Sequence, residues 1–424
     1  MSNQKKQWGA IIVMIALFAM IAFVTNLCSP MATIIKNQGE ISNVLAQIGN
    51  YGNFVAYLVM GIPAGMLIAK FGYKKTALIG LAVGIIGILI QWCSGFFDPK
   101  TDGVGTIFAV YLCGAFLAGL CMCILNCVVN PMLNILGGGG NGGNQLIQVG
   151  GVFNSAAAVA CYILMGALIG EAAKAKMSDA TPALMIALGI FVIAFIVICF
   201  TKIDEPEQAP VQLDMIPKAL GYRHFALGAL AIFLYMGIEV GVPNFVQQYL
   251  TNEMKIPAGT VGMLVAVYWF MMLIGRFVGA SIGGKVSSRT MITTVSIATL
   301  VLVLFGMFAP TDILVAFPGV DWGSLTVVWQ DVPVGIFAFL LVGLCTSVMW
   351  GGIFNMAVEG LGKYTAIASG IFMTMVFGCA VMMFIQASVA DAVGYIQSYW
   401  VVVFCAAYLL FYALVGSRVH KRAE

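Results

Sequence analysis

The sequence predicts an all-α membrane protein of twelve transmembrane helices arranged as two six-helix bundles. Three observations lead there. The 424-residue chain is 61% hydrophobic and 9% charged, with a mean hydropathy of +1.01, a composition that no water-facing surface of this size tolerates. Its apolar runs reach the roughly 20 residues that a spanning helix needs, and alternating ten-residue strand patterns are absent, which favours helices over a barrel. Lys and Arg also sort by loop. With the N-terminus inside, Lys5, Lys6, Lys70, Lys74, Lys75, Lys202, Lys218, Arg223, Lys285, Arg289, Lys363, Arg418, Lys421 and Arg422 fall on one side; Lys36, Lys100, Lys174, Lys176 and Lys255 fall on the other.

Taken in order, the spans run roughly over 8–34, 43–69, 76–95, 106–134, 145–170, 181–201, 224–250, 258–284, 290–309, 333–358, 364–390 and 396–417. The first run is too long for a signal sequence, and Cys28-Ser29-Pro30 lacks a small-residue cleavage pattern, so it reads as a retained span. The charge bias places both termini in the cytoplasm. Between the sixth and seventh spans, Asp204, Glu205, Glu207 and three prolines make the longest polar cytoplasmic stretch, which divides the chain into a bundle at 1–201, a linker at 202–223 and a bundle at 224–424. An internal echo supports the division: Gly61-x3-Gly65 recurs as Gly275-x3-Gly279, and Lys75 stands opposite Arg289. Small residues at such positions allow close helix approach.

Several functions are excluded by composition. A net charge of +3 is too small to suggest nucleic acid as a partner. The eleven cysteines lie in or beside apolar spans, where Cys behaves as a small hydrophobe, and with only His224 and His420 available neither a disulfide framework nor a metal site is indicated. No cofactor is expected. The glycine run from Gly137 to Gly143 lacks the Lys-Ser/Thr of a phosphate loop and follows no strand, so it reads as a flexible turn. An enzyme would need a convergent nucleophile and base, and the spans hold no His away from their ends and a single carboxylate.

That carboxylate is Glu239, in the middle of the seventh span. An ionisable group at such depth costs about 2.5–3.5 kcal/mol on the mildest scale, so it is expected to face a cavity or a partner. Tyr235, Glu239, Pro243 and Gln247 recur every four residues and share a face, with Asn244 and Gln248 beside it. Pro243 removes a backbone bond and frees a carbonyl near the carboxylate. Tyr268, Trp269 and Trp350 lie away from span ends and are candidate aromatic plates, whereas Trp322 and Trp329 in the outer loop fit interfacial anchoring. Arg276 lies about 13 Å from the inner end of its helix, close enough to snorkel to that surface or pair with backbone carbonyls.

Some of these stretches resemble a known family. Gly65-x3-Ala69-Lys70-x-Gly72-Tyr73-Lys74-Lys75 is similar to the signature loop of the major facilitator superfamily, with Ala69 where that loop has Asp. Asn126-x3-Asn130-Pro131, Val152-Phe153-Asn154-Ser155, Glu239-Val240-Gly241, Tyr268-Trp269 before Gly275-Arg276-Phe277, Gly360-Leu361-Gly362-Lys363 and Gln386 before Ala390-Asp391 resemble the fucose:proton symporter and glucose/galactose transporter family within it. The resemblance implies the two-bundle major facilitator fold and places Asn26, Asn126, Asn130, Asn154 and Gln148 across the cavity from the seventh helix. Departures accompany it: Ser29 and Asn126 stand where that family keeps acids, and Gly151 and Thr346 stand where it has amides.

The resulting expectation is import of a monosaccharide by alternating access, for example glucose, galactose or fucose, by a monomer in a bacterial cytoplasmic membrane. A sugar presents hydroxyls around an apolar ring face, so amides, a carboxylate and aromatic plates are the groups it needs. Glu239 is the candidate for coupling to H+, with Na+ less favoured. An uncoupled facilitator, or a carrier of a nucleoside or organic anion, is the alternative.

Overall fold

The computed structural model describes residues 7–36, 41–137, 140–169, 176–203, 205, 213–282, 286–322, 324–361 and 364–419. Six helices come before the linker: α1 (Trp8–Lys36), the short α2 (Asn43–Ala46), α3 (Ile48–Cys93), α4 (Val104–Leu136), α5 (Gly140–Ile169) and α6 (Thr181–Phe200). The linker carries α7 (Met215–Leu220). Then follow α8 (Arg223–Asn252), α9 (Ala258–Ile282), α10 (Ser288–Phe308), strands β1 (Leu314–Asp321) and β2 (Thr326–Pro333), α11 (Val334–Thr346), α12 (Met349–Val358), α13 (Thr365–Met375), α14 (Gly378–Val393) and α15 (Trp400–Phe411).

Ten stretches among the described residues are long and apolar enough to cross a membrane, and α5 adds the shorter apolar stretch Val149–Met165. One of the ten, Ile48–Phe96, spans 49 residues and holds two crossings. The chain reverses inside it at Gly72, whose φ of 78° and ψ of 173° lie outside the helical region and suit glycine. The expected twelve crossings are thereby accounted for. Outward faces of α6 and α10 expose Ile193, Phe200, Val301 and Phe308, a surface matched by hydrocarbon rather than water.

Three features depart from the sequence reading. The last four residues of the glycine run, Gly140–Gly143, begin α5 instead of forming a flexible turn; residues 138 and 139 lie outside the described ones. Glycine weakens a helix by about 1 kcal/mol against alanine, so packing of the apolar segment that follows outweighs local preference here. The outer loop after α10 is an antiparallel hairpin, with Leu314 opposite Pro333 and Asp321 opposite Thr326. Its Trp329 is exposed, while Trp322 packs beside Gly259. Finally, only some of the paired glycines make close contacts. A Cβ on Gly61 would meet the Thr374 backbone nitrogen at 2.6 Å and Gly275 abuts Ser347, whereas Gly65 faces open space.

Candidate substrate and coupling site

Between Leu234 and Gln248 of α8, every residue is buried except Glu239, which is half-buried. Its side chain therefore reaches accessible space in the middle of the helix. Pro243, four residues on, has no N–H to offer the Glu239 carbonyl, and the Tyr268 hydroxyl of α9 donates to that oxygen at 3.0 Å. The same hydroxyl lies 3.1 Å from the Thr346 hydroxyl, and the Tyr235 hydroxyl is 3.3 Å from the Thr346 carbonyl, where α11 ends. Tyr235 also stands beside the Glu239 carboxylate. The tenth crossing breaks between α11 and α12 at this level, so the polar face of α8 meets a helix end.

Aromatic rings surround the cluster. Trp350 lies 6.3 Å from Tyr235 between centroids and keeps some exposure, while Trp269 meets Tyr268 edge-on at 5.3 Å and stacks with Tyr162 of α5 at 6.4 Å. Tyr235, Glu239, Tyr268, Trp269 and Trp350 thus come together around Thr346, a residue that the sequence singled out only as a departure. Tyr268 and Trp269 are buried, so Trp350 is the ring among the three that presents a face.

Amides of the first half are arranged differently. Asn126 is half-buried and donates to the Tyr57 hydroxyl at 3.0 Å and to its own helix at Met122. Asn130, also half-buried, donates to the Asn126 carbonyl, and Asn26 is buried against the Ala22 carbonyl. Asn154 ties α5 to α1 through the Phe18 carbonyl at 2.9 Å. The Gln148 side chain lies outside the described ones. Asn244 and Gln247 sit beyond Pro243, buried and away from the Glu239 cluster.

Arg276 takes the second of its two expected roles. Its Nη1 donates to the Gly151 carbonyl, to Ser155 Oγ at 2.8 Å and, weakly, to Asn154 Oδ1 at 3.4 Å, so it clasps α5 of the opposite half. Among the described residues no ion pair joins it to Glu239.

Past the amides of α8, the two halves are tied at the hairpin end. Asp391 of α14 accepts the Asn43 and Val44 backbone N–H groups at 2.7 and 3.1 Å. Tyr395 accepts from Lys36 at 2.7 Å and from Asn252 at 3.0 Å, and it donates to Asn43. Burial pushes the Tyr395 hydroxyl up to about 12, which keeps it a neutral donor. Sequence reading missed this cluster because its members are far apart in the chain. At the opposite, basic end, Gly351 and Asn355 are exposed and Asn130 is half-buried. A separate cavity of about 400 Å³ at that end, lined by Ser287, Arg289, Asn355 and Glu359, does not include Glu239.

Residues 11–383 match the Major Facilitator Superfamily. The chain belongs to that superfamily. It is 28% identical to a glucose/galactose transporter of Brucella abortus biovar 1 (strain 9-941), over 98% of this chain and 96% of the relative. It is 21% identical to the L-fucose-proton symporter of Escherichia coli (strain K12), over 90% and 87% respectively. The crystal structure of the transporter FucP in the outward conformation matches with a TM-score of 0.68 at 18% identity, covering 96% of this chain and 99% of that one. The nucleoside transporter NupG matches with a TM-score of 0.64 at 15% identity, covering 96% and 98%. At these identities the structures establish the fold. As a major facilitator protein the chain is a membrane transporter and not an enzyme.

The superfamily's signature loop is held here in its own way. Glu205 from the linker accepts from Tyr73 N at 2.8 Å and Lys74 N at 2.7 Å at the start of the third crossing. A carboxylate suits the positive end of a helix. Lys74 in turn donates to the Cys199 and Thr201 carbonyls at the end of α6.

Proposed function

We propose that this protein imports a monosaccharide, glucose, galactose or fucose, by alternating access and couples the movement to a proton through Glu239. The observation that carries the reading is the placement of Glu239: a half-buried mid-helix carboxylate beside Tyr235, whose ring lies 6.3 Å from that of Trp350. The names of the relatives, a glucose/galactose transporter and an L-fucose-proton symporter, support the same substrate class and ion. Asn126 and Asn130 line the first-half wall, Asn154 and Trp269 hold it in place, and Tyr268 fixes the backbone under the carboxylate. By the excess of Lys and Arg, the basic end is cytoplasmic, with bundles at 1–201 and 224–424 joined by 202–223; a bacterial inner membrane is the setting we infer from the bacterial relatives. The conformation is then inward-facing, sealed at the hairpin end and open to the cytoplasm.

Arg276 gives the coupling a physical route. Its guanidinium is held by α5 in this state, and rocking of the halves changes those acceptors. A positive charge that approaches Glu239 in one state and withdraws in the other supplies the differential interaction a coupled proton requires.

Right-side-out vesicles carrying the protein, energised by an inward pH gradient, test the reading. Accumulation of a labelled hexose that collapses with a protonophore is expected. Accumulation of a nucleoside in place of every hexose removes the sugar reading, and hexose equilibration indifferent to the gradient removes the proton.

A further inference from the structure

The hairpin-end half of the interface holds buried amides that the Glu239 cluster does not use. On α8, Asn244, Gln248 and Asn252 stand four residues apart on one stripe; along α2 and the start of α3, Asn43, Gln47 and Asn50 follow near-helical spacing. The outer members of both stripes, Asn43 and Asn252, meet at the Tyr395 hydroxyl. Beneath that junction Asn244, Gln248, Gln47 and Asn50 are fully buried. Six of their polar atoms have no partner: both side-chain atoms of Asn244 and Gln248, Gln47 Nε2 and Asn50 Oδ1. Asn50 Nδ2 donates to Gln47 Oε1, so those two amides are aligned with each other yet left half satisfied.

Orphaned amides in an apolar interior are destabilising, and leucine in their place would pack at no such cost. Retaining four of them under one lid needs a state of the protein in which they are used. We propose that Gln47, Asn50, Asn244 and Gln248 form an outer antechamber, a binding subsite for a polyhydroxylated solute on the hairpin side of Glu239. Tyr395, Lys36 and Asp391 close it once the solute has moved inward. An amide offers a donor and an acceptor in one plane, the complement of two neighbouring sugar hydroxyls. Neutral groups also bind weakly enough to let the solute pass on, as a waypoint must. The assignment of a sugar to this subsite rests on the transport reading above.

The test compares the two directions of transport in Q248L and N50L, which replace an orphan amide by an apolar residue of similar size on opposite halves. Right-side-out vesicles report uptake from the hairpin end, and inside-out vesicles report movement from the basic end, each with the hexose that the wild type carries. In each variant the KM from the hairpin end is expected to rise about fivefold, the worth of one hydrogen bond, while the KM from the basic end stays within about twofold. N244S, a smaller change on the same stripe as Gln248, gives the same directional split if a leucine variant fails to fold. Equal KM shifts in both directions, or no shift in variants whose melting temperature equals or exceeds that of the wild type, overturn the antechamber. Failure of the wild type to carry any hexose overturns the sugar reading instead, and the directional comparison is then made with the nucleoside it does carry.

Discussion

The helix α8 is two regions divided by Pro243, and they treat polar groups in opposite ways. Below the proline, toward the basic end, the polar groups of α8 have company: Tyr235 and Tyr268 reach Thr346, the carbonyl that Pro243 orphans is taken by Tyr268, and Glu239 keeps an accessible surface, although Trp269 Nε1 of α9 is unpartnered. Above it, Asn244 and Gln248 are sealed in with none of their side-chain atoms partnered. The lower region is organised in the state seen here, whereas the upper one waits for another.

The contrast is open to attack, beginning with the largest effect. Glu239→Gln keeps the shape of the lower region and removes its titratable group, so the gradient-driven accumulation ratio should fall to about one while exchange across vesicles at equal concentrations persists. Undiminished accumulation by that variant removes Glu239 from coupling. Next, Tyr268→Phe should destabilise the protein by about 1–3 kcal/mol, because it strands the Glu239 carbonyl. In a Pro243→Ala background an N–H is restored to that carbonyl, and the loss, read as a double-mutant cycle of melting transitions, should shrink by roughly half or more. Equal losses in both backgrounds would mean that the carbonyl is not what Tyr268 serves.

Asp391→Asn acts on the upper region alone. It weakens two charge-assisted bonds to the Asn43 and Val44 amides, so hydrogen exchange over residues 43–53 and 241–251 should quicken about fivefold or more, with the Glu239 segment unchanged. Exchange that rises everywhere would mean general unfolding rather than opening of one end. The smallest effect is expected from Glu205→Gln, which caps the third crossing within a single half: at most about 1 kcal/mol in stability and no change at either region of α8.

Much of this was legible in the chain. The apolar runs and the charge bias need only local composition, and the turn at Gly72 sat where a basic, glycine-containing loop was read. Glu239 stood out because no other carboxylate lies deep in a span, and the freed carbonyl under Pro243 followed from proline chemistry; that Tyr268 would fill it did not. The hairpin over Leu314–Pro333 was not legible as strands: its Trp329 fits interfacial anchoring in a loop equally well, and the pairing partner of each strand is set by the fold. Ala69 signalled a missing acid, but nothing in its neighbourhood pointed to Glu205, which lies 132 residues on from Tyr73 and reaches it past the end of α6.

The sequence by itself determined that this protein is a helical, twelve-crossing membrane protein with one carboxylate deep in a span. Those properties depend on composition and on spacing within single helices, which a chain carries before it folds. Tertiary structure alone decided which polar residues meet. Asp391 and Asn43 are 348 residues apart, Tyr395 and Lys36 are 359 apart, and Arg276 finds its acceptors 121 and 125 residues back, on the other half. Such pairings have no local periodicity to betray them, because they arise from the packing of two bundles whose facing surfaces are chosen only when both have formed.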